Sequence, residues 1–169
     1  LLHKDEFLDE KIRVTARTPF DSVNLLVWYQ AGAYFWEVYD FDEGIRYVKK
    51  ALPLSYKVDD LSLRADCEHL MGHFLFRKSD YVQALEHVHK GLENYRKTGD
   101  KSNISSSLNS LAAICLTMKQ LNDGERYILE ALQYSKAAND SNRIAIQCGM
   151  ASEIYHGMGK DEHALDYAR

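Results

Sequence analysis

The fold is decided by residues 61–100, which read LSLRADCEHLMGHFLFRKSDYVQALEHVHKGLENYRKTGD. Apolar side chains recur here at helical intervals in two series, Leu70, Met71, Phe74 and Leu75 followed by Tyr81, Leu85, Val88 and Leu92. The polar break Lys78-Ser79-Asp80 separates the two series. A break this short forces neighbouring helices to run antiparallel. The stretch therefore predicts a pair of antiparallel helices, near residues 61–78 and 81–97.

The same helix pair recurs along the chain with a period of forty residues. Four columns of equivalent positions carry small or acidic residues: Gly32, Gly72, Ala112 and Ser152; Gly44, Ala84, Gly124 and Ala164; Ala51, Gly91 and Ala131; Asp60, Asp100 and Asp140. A fixed period of this size is typical of repeat proteins, in which stacked units share a continuous core. It predicts first helices near 22–38, 61–78, 101–118 and 141–158, and second helices near 42–57, 81–97, 121–137 and from 161 onward.

The columns have mechanical explanations. Two helices that cross at close range need a missing side chain at the crossing, so the columns that begin at Gly32 and Gly44 are expected to face each other. Gly99 and Asn139 are residue types that end helices in the left-handed conformation. The Asp that follows each can accept backbone N–H bonds at the start of the next helix. Pro53 lies inside a predicted helix and should kink or end it.

Composition excludes several classes of protein. The formal net charge of −4 lacks the basic excess of a nucleic-acid binder, and no apolar run is long enough to span a membrane. Cys67, Cys115 and Cys148 are odd in number and widely spaced, so we expect buried thiols and no disulfide framework or zinc knuckle. Reduced thiols suit the cytoplasm. Because the chain lacks an initiator Met and ends inside a helical pattern, we expect a piece of a longer protein.

The small-residue columns resemble the tetratricopeptide repeat, which places Trp, Leu, Gly and Tyr in its first helix and Ala, Phe and Ala in its second. Over residues 22–169 the matches are Trp28, Gly32, Phe35, Gly44, Val48 and Ala51; Met71, Gly72, Leu75, Ala84, Val88 and Gly91; Leu111, Ala112, Gly124, Ile128 and Ala131; and Tyr155, Ala164 and Ala168. The usual period is 34 residues, and the helix-ending Pro is absent. The longer period resembles the variant in kinesin light chains, G-protein-regulator scaffolds and bacterial regulators. HEAT-like repeats share the period but lack the small-residue pattern.

The resemblance implies an all-α fold, a right-handed superhelical solenoid of antiparallel helix pairs. We expect four repeats in residues 22–169, at about 25–64, 65–104, 105–144 and 145–169, the last incomplete. Residues 1–21 are expected to hold a helix of a preceding partial repeat, near 3–17, and its connector. Leu8 and Ile12 in that segment match Val48 and Leu52 forty residues later.

The resemblance also implies a concave groove lined by the first helices. The candidate partner-binding residues that it places there are Tyr29, Trp36, Glu37, Asp66, His69, His73, Phe76, Arg77, Asn109, Glu153 and His156. Aromatic side chains beside an Arg are typical of interface hot spots, which favours a groove that binds a protein or peptide. The alternative is that the aromatics pack against the adjacent repeat or another copy of the chain. Only Asn109 matches the family's carboxylate clamp, so a chaperone-tail ligand is not expected.

Metal binding and catalysis are weaker interpretations. His69 and His73 are four residues apart and could ligate one metal ion, with Asp66 on the same face, but no third ligand is evident from the sequence. We therefore expect no metal and no cofactor, and we expect His87 and His89 to be solvated. No phosphate-binding Gly loop, GxSxG elbow or Ser/His/Asp order occurs. An enzyme would need Glu37, Asp66 and the groove histidines to converge as acid and base, so we predict no enzymatic activity.

The sequence therefore predicts a protein–protein or peptide interaction or sensor domain. We expect it to belong to a larger cytoplasmic regulator, of bacterial transcription or signalling. The alternatives are a stand-alone signalling scaffold, a self-association module and, more remotely, an enzyme or metal-binding domain. The expected partners are a protein or peptide, with a homo-oligomer left open and with no nucleic acid or membrane bound by this segment.

Overall fold

The computed structural model describes residues 21–169, and in this range the chain forms eight α-helices and no strand. The predicted positions of the helices are confirmed, whereas the helix predicted near residues 3–17 lies outside the described residues. No helix within this range is long and apolar enough to cross a membrane. The helices are α1 (Asp21–Glu37), α2 (Phe41–Val58), α3 (Leu61–Arg77), α4 (Tyr81–Thr98), α5 (Lys101–Thr117), α6 (Leu121–Ala137), α7 (Ser141–Gly157) and α8 (Asp161–Ala168).

The helices stack as pairs into a solenoid, as the repeat pattern predicts. Each helix packs against the next, and the first helices also contact one another: α1 meets α3, α3 meets α5 and α5 meets α7. Among the described residues, the backbones of the second helices α2, α4, α6 and α8 do not approach one another closely, and α4 meets α6 through long side chains, in the pairs His89–Tyr127 and Arg96–Glu130. The first helices are thus crowded on one side and the second helices are spread on the other. This difference makes the first helices the concave face of the array.

Successive helices are joined by tight turns of the same kind, spaced twenty residues apart. Each turn has one residue with a left-handed backbone, with φ between 53° and 73°: Tyr39, Asp59, Ser79, Gly99, Lys119, Asn139 and Gly159. After α4, the Gly99 amide donates to the Arg96 carbonyl at 3.3 Å and the Asp100 amide donates to the Tyr95 carbonyl at 3.1 Å. This pair of bonds is the Schellman motif. It satisfies helix-end carbonyls and confirms the helix-ending role expected of Gly99 and Asn139.

Aspartate side chains begin most of the helices. Asp60, Asp100 and Asp140 accept hydrogen bonds from the backbone N–H three residues ahead, as predicted for this column. Asp40 and Asp80 do the same at the starts of α2 and α4, which the sequence analysis did not anticipate. Each such cap satisfies an orphan donor and typically contributes about 1 kcal/mol.

The small-residue columns mark close approaches between helices. A Cβ on Gly72 would overlap Val88 Cγ2 and lie 3.1 Å from the carbonyl oxygen of Ala84, so α3 and α4 cross at this point as expected. Gly44 has an additional neighbour, because the ring of Phe74 from the next helix pair fills the space beside it. The second column therefore serves the junction between repeats as well as the crossing within one.

Two further expectations concern Pro53 and the cysteines. Helix α2 continues through Pro53 to Val58, so of the two expected effects the helix end is excluded and the kink stays a prediction. Pro53 lies on an exposed face, where water can satisfy the carbonyl that loses its N–H partner. The three thiols are free; Cys67 and Cys115 are buried, as expected, and Cys148 is half-buried. Burial raises the pKa of Cys67 to about 12 and that of Cys115 to about 11, so neither is a thiolate near neutral pH.

Candidate functional site

A pocket opens on the concave face between α1, α3 and α5. Its volume is about 240 Å³. The residues that line it come from three successive repeats: Trp36, His73, Phe76, Arg77, Asn109, Ser110, Ala113 and Ile114. Five of them, Trp36, His73, Phe76, Arg77 and Asn109, are among the predicted groove residues. The structure thus brings together side chains that are up to about eighty residues apart in sequence; their role in binding remains a prediction.

The aromatic wall of the pocket is fixed by packing across the junction between two repeats. The indole of Trp36 lies 5.6 Å from the ring of Phe41, 5.5 Å from His73 and 5.5 Å from Phe74, measured between ring centroids. Aromatic pairs at such distances in tilted or edge-on arrangements add to the energy of burial. Trp36 therefore packs against the adjacent repeat, which was one of the two interpretations, and it also lines the pocket; its contact with a partner stays a prediction.

Two histidines and a serine form an uncharged support beneath the pocket. Nε2 of His69 lies 3.3 Å and Nε2 of His73 lies 3.0 Å from Ser110 Oγ, and the Ser110 hydroxyl donates to the Ser106 carbonyl at 3.1 Å. Since that hydroxyl has only one proton, both imidazoles donate to Ser110 Oγ. Burial, reinforced by His73, lowers the pKa of His69 to about 3, and burial also lowers the pKa of His73. Both rings are therefore neutral at pH 7.

The rim of the pocket carries an exposed cation and a buried hydrogen-bond acceptor. The guanidinium carbon of Arg77 lies 5.4 Å from the centroid of the Phe41 ring. No ion pair joins Arg77 to a carboxylate within residues 21–169. The side-chain Oδ1 of Asn109 is buried and accepts no hydrogen bond from the part of the chain that is described. Because this oxygen has almost no accessible surface, Arg77 is the polar group that the rim offers to a ligand.

The predicted residues Tyr29 and Asp66 do not line the pocket. Tyr95 donates its hydroxyl proton to Asp66 Oδ1 at 2.5 Å. Burial raises the pKa of Asp66, and burial together with the charge of Asp66 raises the pKa of Tyr29 to about 12. The bond between Tyr95 and Asp66 joins α4 to α3. Neither Tyr29 nor Asp66 lines the pocket with His73.

The remaining predicted residues are exposed and do not line the pocket. Glu37 and Glu153 have exposed side chains. His156 is exposed and its Nδ1 lies 2.9 Å from Asp161 Oδ1. It borders a shallow cavity of about 350 Å³ between α7 and α8, lined also by Ser152, Asp161, Ala164 and Leu165. The eleven predicted residues are therefore spread over the concave face, and less than half of them meet at one point.

The expectation that His87 and His89 are solvated is wrong. His87 Nδ1 lies 2.6 Å from Oε2 of Glu68, a carboxylate with 2% exposure, and Tyr56 donates to Oε1 of the same carboxylate at 2.7 Å. His89 Nε2 lies 2.9 Å from the hydroxyl of Tyr127. Both histidines therefore join neighbouring helices. Glu68 lies on α3 of the same helix pair, whereas Tyr56 and Tyr127 lie on α2 and α6 of the neighbouring pairs, so the face of α4 alone carried no signal of these partners.

The geometry provides little support for metal binding or catalysis. Within residues 21–169, no three His, Cys, Asp or Glu side chains are placed to hold a metal ion. His69 and His73 instead share Ser110 as a hydrogen-bond partner. Glu37 and Asp66, on which an acid–base site would depend, do not line the pocket with His73. The arrangement combines an apolar cavity with a few polar groups at its edge, which is typical of binding sites.

Comparison with known proteins shows a TPR-like fold. No protein-family model and no curated protein sequence matches the chain. The apo form of RapI is similar with a TM-score of 0.84 and 14% identity, over 90% of this chain and 56% of RapI. The TPR-like repeats of a putative kinesin light chain from Podosopora anserina are similar with a TM-score of 0.81 and 13% identity, over 96% of this chain and 81% of that chain. The Rap conjugation gene regulator of plasmid pLS20, in complex with the Phr* peptide, is similar with a TM-score of 0.72 and 17% identity, over 86% of this chain and 40% of that chain.

The chain spans about half the length of RapI and less than half of the pLS20 regulator. At these identities the similarity establishes the fold alone.

Proposed function

We propose that the concave face binds a peptide or an extended segment of a partner protein, with Trp36, Phe76, Arg77 and Asn109 as the main contact residues. The observation that carries this proposal is the pocket built from three repeats, in which aromatic walls lie beside the unpaired cation of Arg77. Trp and Arg are the residue types that most often dominate binding energy at interfaces. The peptide complex of the pLS20 regulator supports a peptide ligand for a fold of this class.

The rigid helices favour binding without rearrangement. The pocket residues stand on α1, α3 and α5, and Trp36 is held by its ring contacts with Phe41 and Phe74. A preformed site avoids the entropy cost of ordering its own side chains on binding. An extended ligand that lies along the groove can therefore use most of its contact energy for affinity.

The wider context is also part of the proposal. We propose that residues 22–169 hold four repeats of the longer, forty-residue type, at about 25–64, 65–104, 105–144 and 145–169. The array would serve as the interaction or sensor part of a larger cytoplasmic regulator. The similarity to RapI and to the pLS20 gene regulator supports this context at the level of fold. It is proposed as a binding module without enzymatic activity.

The test is selection of binders from a random peptide library, followed by mapping of the protected amides by hydrogen exchange. Protection on α1, α3 and α5 is expected. Arg77→Ala should weaken binding at least about tenfold, as interface Arg anchors commonly do, without a change in melting temperature. The matched control is Arg126→Ala, which removes an exposed Arg from α6. Selected peptides that protect only α2, α4 and α6 would place the binding surface on the convex side and refute the proposal.

Trp36 is a less clean probe than Arg77. Its indole packs on Phe41, His73 and Phe74, so Trp36→Ala should lower stability as well as affinity. Binding by this variant must therefore be compared well below its melting temperature.

Self-association is a second candidate function, supported by exposed apolar side chains on the last described repeat. Ile146 is 63% exposed and Leu165 is 57% exposed, and Leu165 borders the cavity between α7 and α8. Sedimentation over a range of concentrations tests this surface. Leu165→Glu should shift the chain towards monomer if this surface joins two copies, and identical profiles for the variant and the parent would exclude it.

A further inference from the structure

We propose that the pocket selects a peptide segment in which a large apolar residue is accompanied by an acidic side chain two positions away. This inference rests on the proposed function and specifies the ligand. The apolar side chain enters the pocket and the acidic side chain reaches Arg77.

The pocket itself accepts an apolar side chain. Trp36 and Phe76 form its walls, and Ala113 and the buried Ile114 leave apolar surface between them. The histidines beneath it are uncharged, since burial lowers the pKa of both. A charged side chain placed here would lose its hydration without gaining a partner. The volume of about 240 Å³ is below that of pockets for drug-sized ligands, which fits a single side chain.

Arg77 supplies the charge selectivity. Its guanidinium is exposed at the rim, lies over Phe41, and forms no ion pair with any carboxylate in the described residues. The chain as a whole carries a formal charge of −4, so an acidic peptide gains nothing from its general field. A preference for acid must therefore come from this local cation. Alternate side chains of an extended peptide face the same side, which places the acid two residues from the apolar one.

An internal acidic side chain fits better than a terminal carboxylate. The pocket is formed by α1, α3 and α5, and the same face continues to α7, where Glu153 and His156 are exposed. A peptide can therefore run on past the pocket and does not need to end in it.

The test uses capped heptapeptides that place an acid on either side of the apolar residue, so that the direction of binding does not matter. The probe is acetyl-Ser-Glu-Ser-Phe-Ser-Glu-Ser-amide. Its analogues replace both Glu by Gln, or Phe by Ala, and a fourth peptide ends Ser-Gln-Ser-Phe with a free carboxylate. The chain has two tryptophans, so Trp28→Phe leaves the emission of Trp36 as the reporter of the pocket.

We expect the Glu peptide to bind about tenfold more tightly than the Gln analogue, because a charge-assisted hydrogen bond is lost. Arg77→Gln should reduce this ratio to about one, whereas the matched Arg126→Gln should retain it. Arg77 is exposed, and thermal melts of both Arg variants check that they fold.

Three outcomes would overturn the inference. Equal affinity for the Glu and Gln peptides would remove the acidic preference. Tightest binding by the peptide with the free carboxylate would show that Arg77 binds the C-terminal carboxylate of a ligand. A Glu preference that survives Arg77→Gln would place its cause elsewhere. In each case library peptides that bind the concave face would still support the proposed function, and failure of every library peptide to bind there would refute the function itself.

Discussion

Two glycines in the middle of first helices provide a direct test of the packing. Gly72 in α3 faces α4, and a Cβ there would overlap Val88 Cγ2 and lie 3.1 Å from both the Ala84 oxygen and the Val88 nitrogen. Val88 is β-branched and fully buried, so it has little freedom to move aside. Gly149 in α7 has no heavy atom within 4 Å of the same position. Substituting Ala at each site makes one chemical change in two different surroundings.

The expected free energies follow from two opposing effects. Ala is favoured over Gly inside a helix by about 1 kcal/mol, so Gly149→Ala should raise the free energy of unfolding by about that amount. Gly72→Ala gains the same propensity but adds overpacking, which costs about 1–3 kcal/mol. Since propensity cancels between the two variants, their difference of about 1–3 kcal/mol measures the steric cost alone. At about 2–4 °C per kcal/mol for a chain of this size, the melting temperatures should differ by about 2–12 °C.

The assay is thermal unfolding followed by circular dichroism at 222 nm, a wavelength chosen because the described chain is helical. The variant Gly72→Leu should be destabilised more than Gly72→Ala, and the exposed change Glu86→Ala should be close to neutral. Equal melting temperatures for Gly72→Ala and Gly149→Ala would refute the claim that α3 and α4 cross at Gly72.

Three further predictions concern the turns and the buried histidines. Asp100→Ala removes the cap of α5 and should lower the free energy of unfolding by about 1 kcal/mol in urea titrations. Lys119 has a left-handed backbone with φ 62°, which is strained for a residue with a side chain. Lys119→Gly should therefore raise the free energy of unfolding by about 0.5–1 kcal/mol in the same assay. Burial lowers the pKa of His69 from 6.5 to about 3, so the unfolded chain binds more protons between these pH values and stability falls as the pH drops below 6.5. Urea titrations should show a loss of about 2 kcal/mol from His69 between pH 7.5 and pH 5, and a smaller total loss in His69→Gln.

The helices could be predicted from the sequence because their signals are local. An Asp at the helix start, a Gly or Asn in the turn, and a small residue at each crossing recur in register, and each acts through neighbours in its own repeat. The left-handed Tyr39, Ser79 and Lys119 could not be predicted in this way. These residue types do not favour positive φ, and the Schellman bonds and the packing of the two flanking helices impose it on them.

The candidate site could be predicted only in part. Its aromatic residues and Arg77 follow from the face of each first helix, which the repeat determines. Ser110 is the shared partner of two histidines from the preceding repeat, whereas Asp66 and His87 are bonded to Tyr95 and Glu68 on the other helix of their own repeat. The pattern of a single helix contains no information on such partners, which meet only when the helices pack.

The pattern of helix contacts also determines how the chain can fold. Within the described residues, each helix touches only those one or two positions away in sequence. No large loop must therefore close before favourable contacts form, and proteins of such low contact order fold quickly. A nucleus can arise in any helix pair and grow in either direction. Folding speed should consequently depend more on the most stable pair than on the number of repeats.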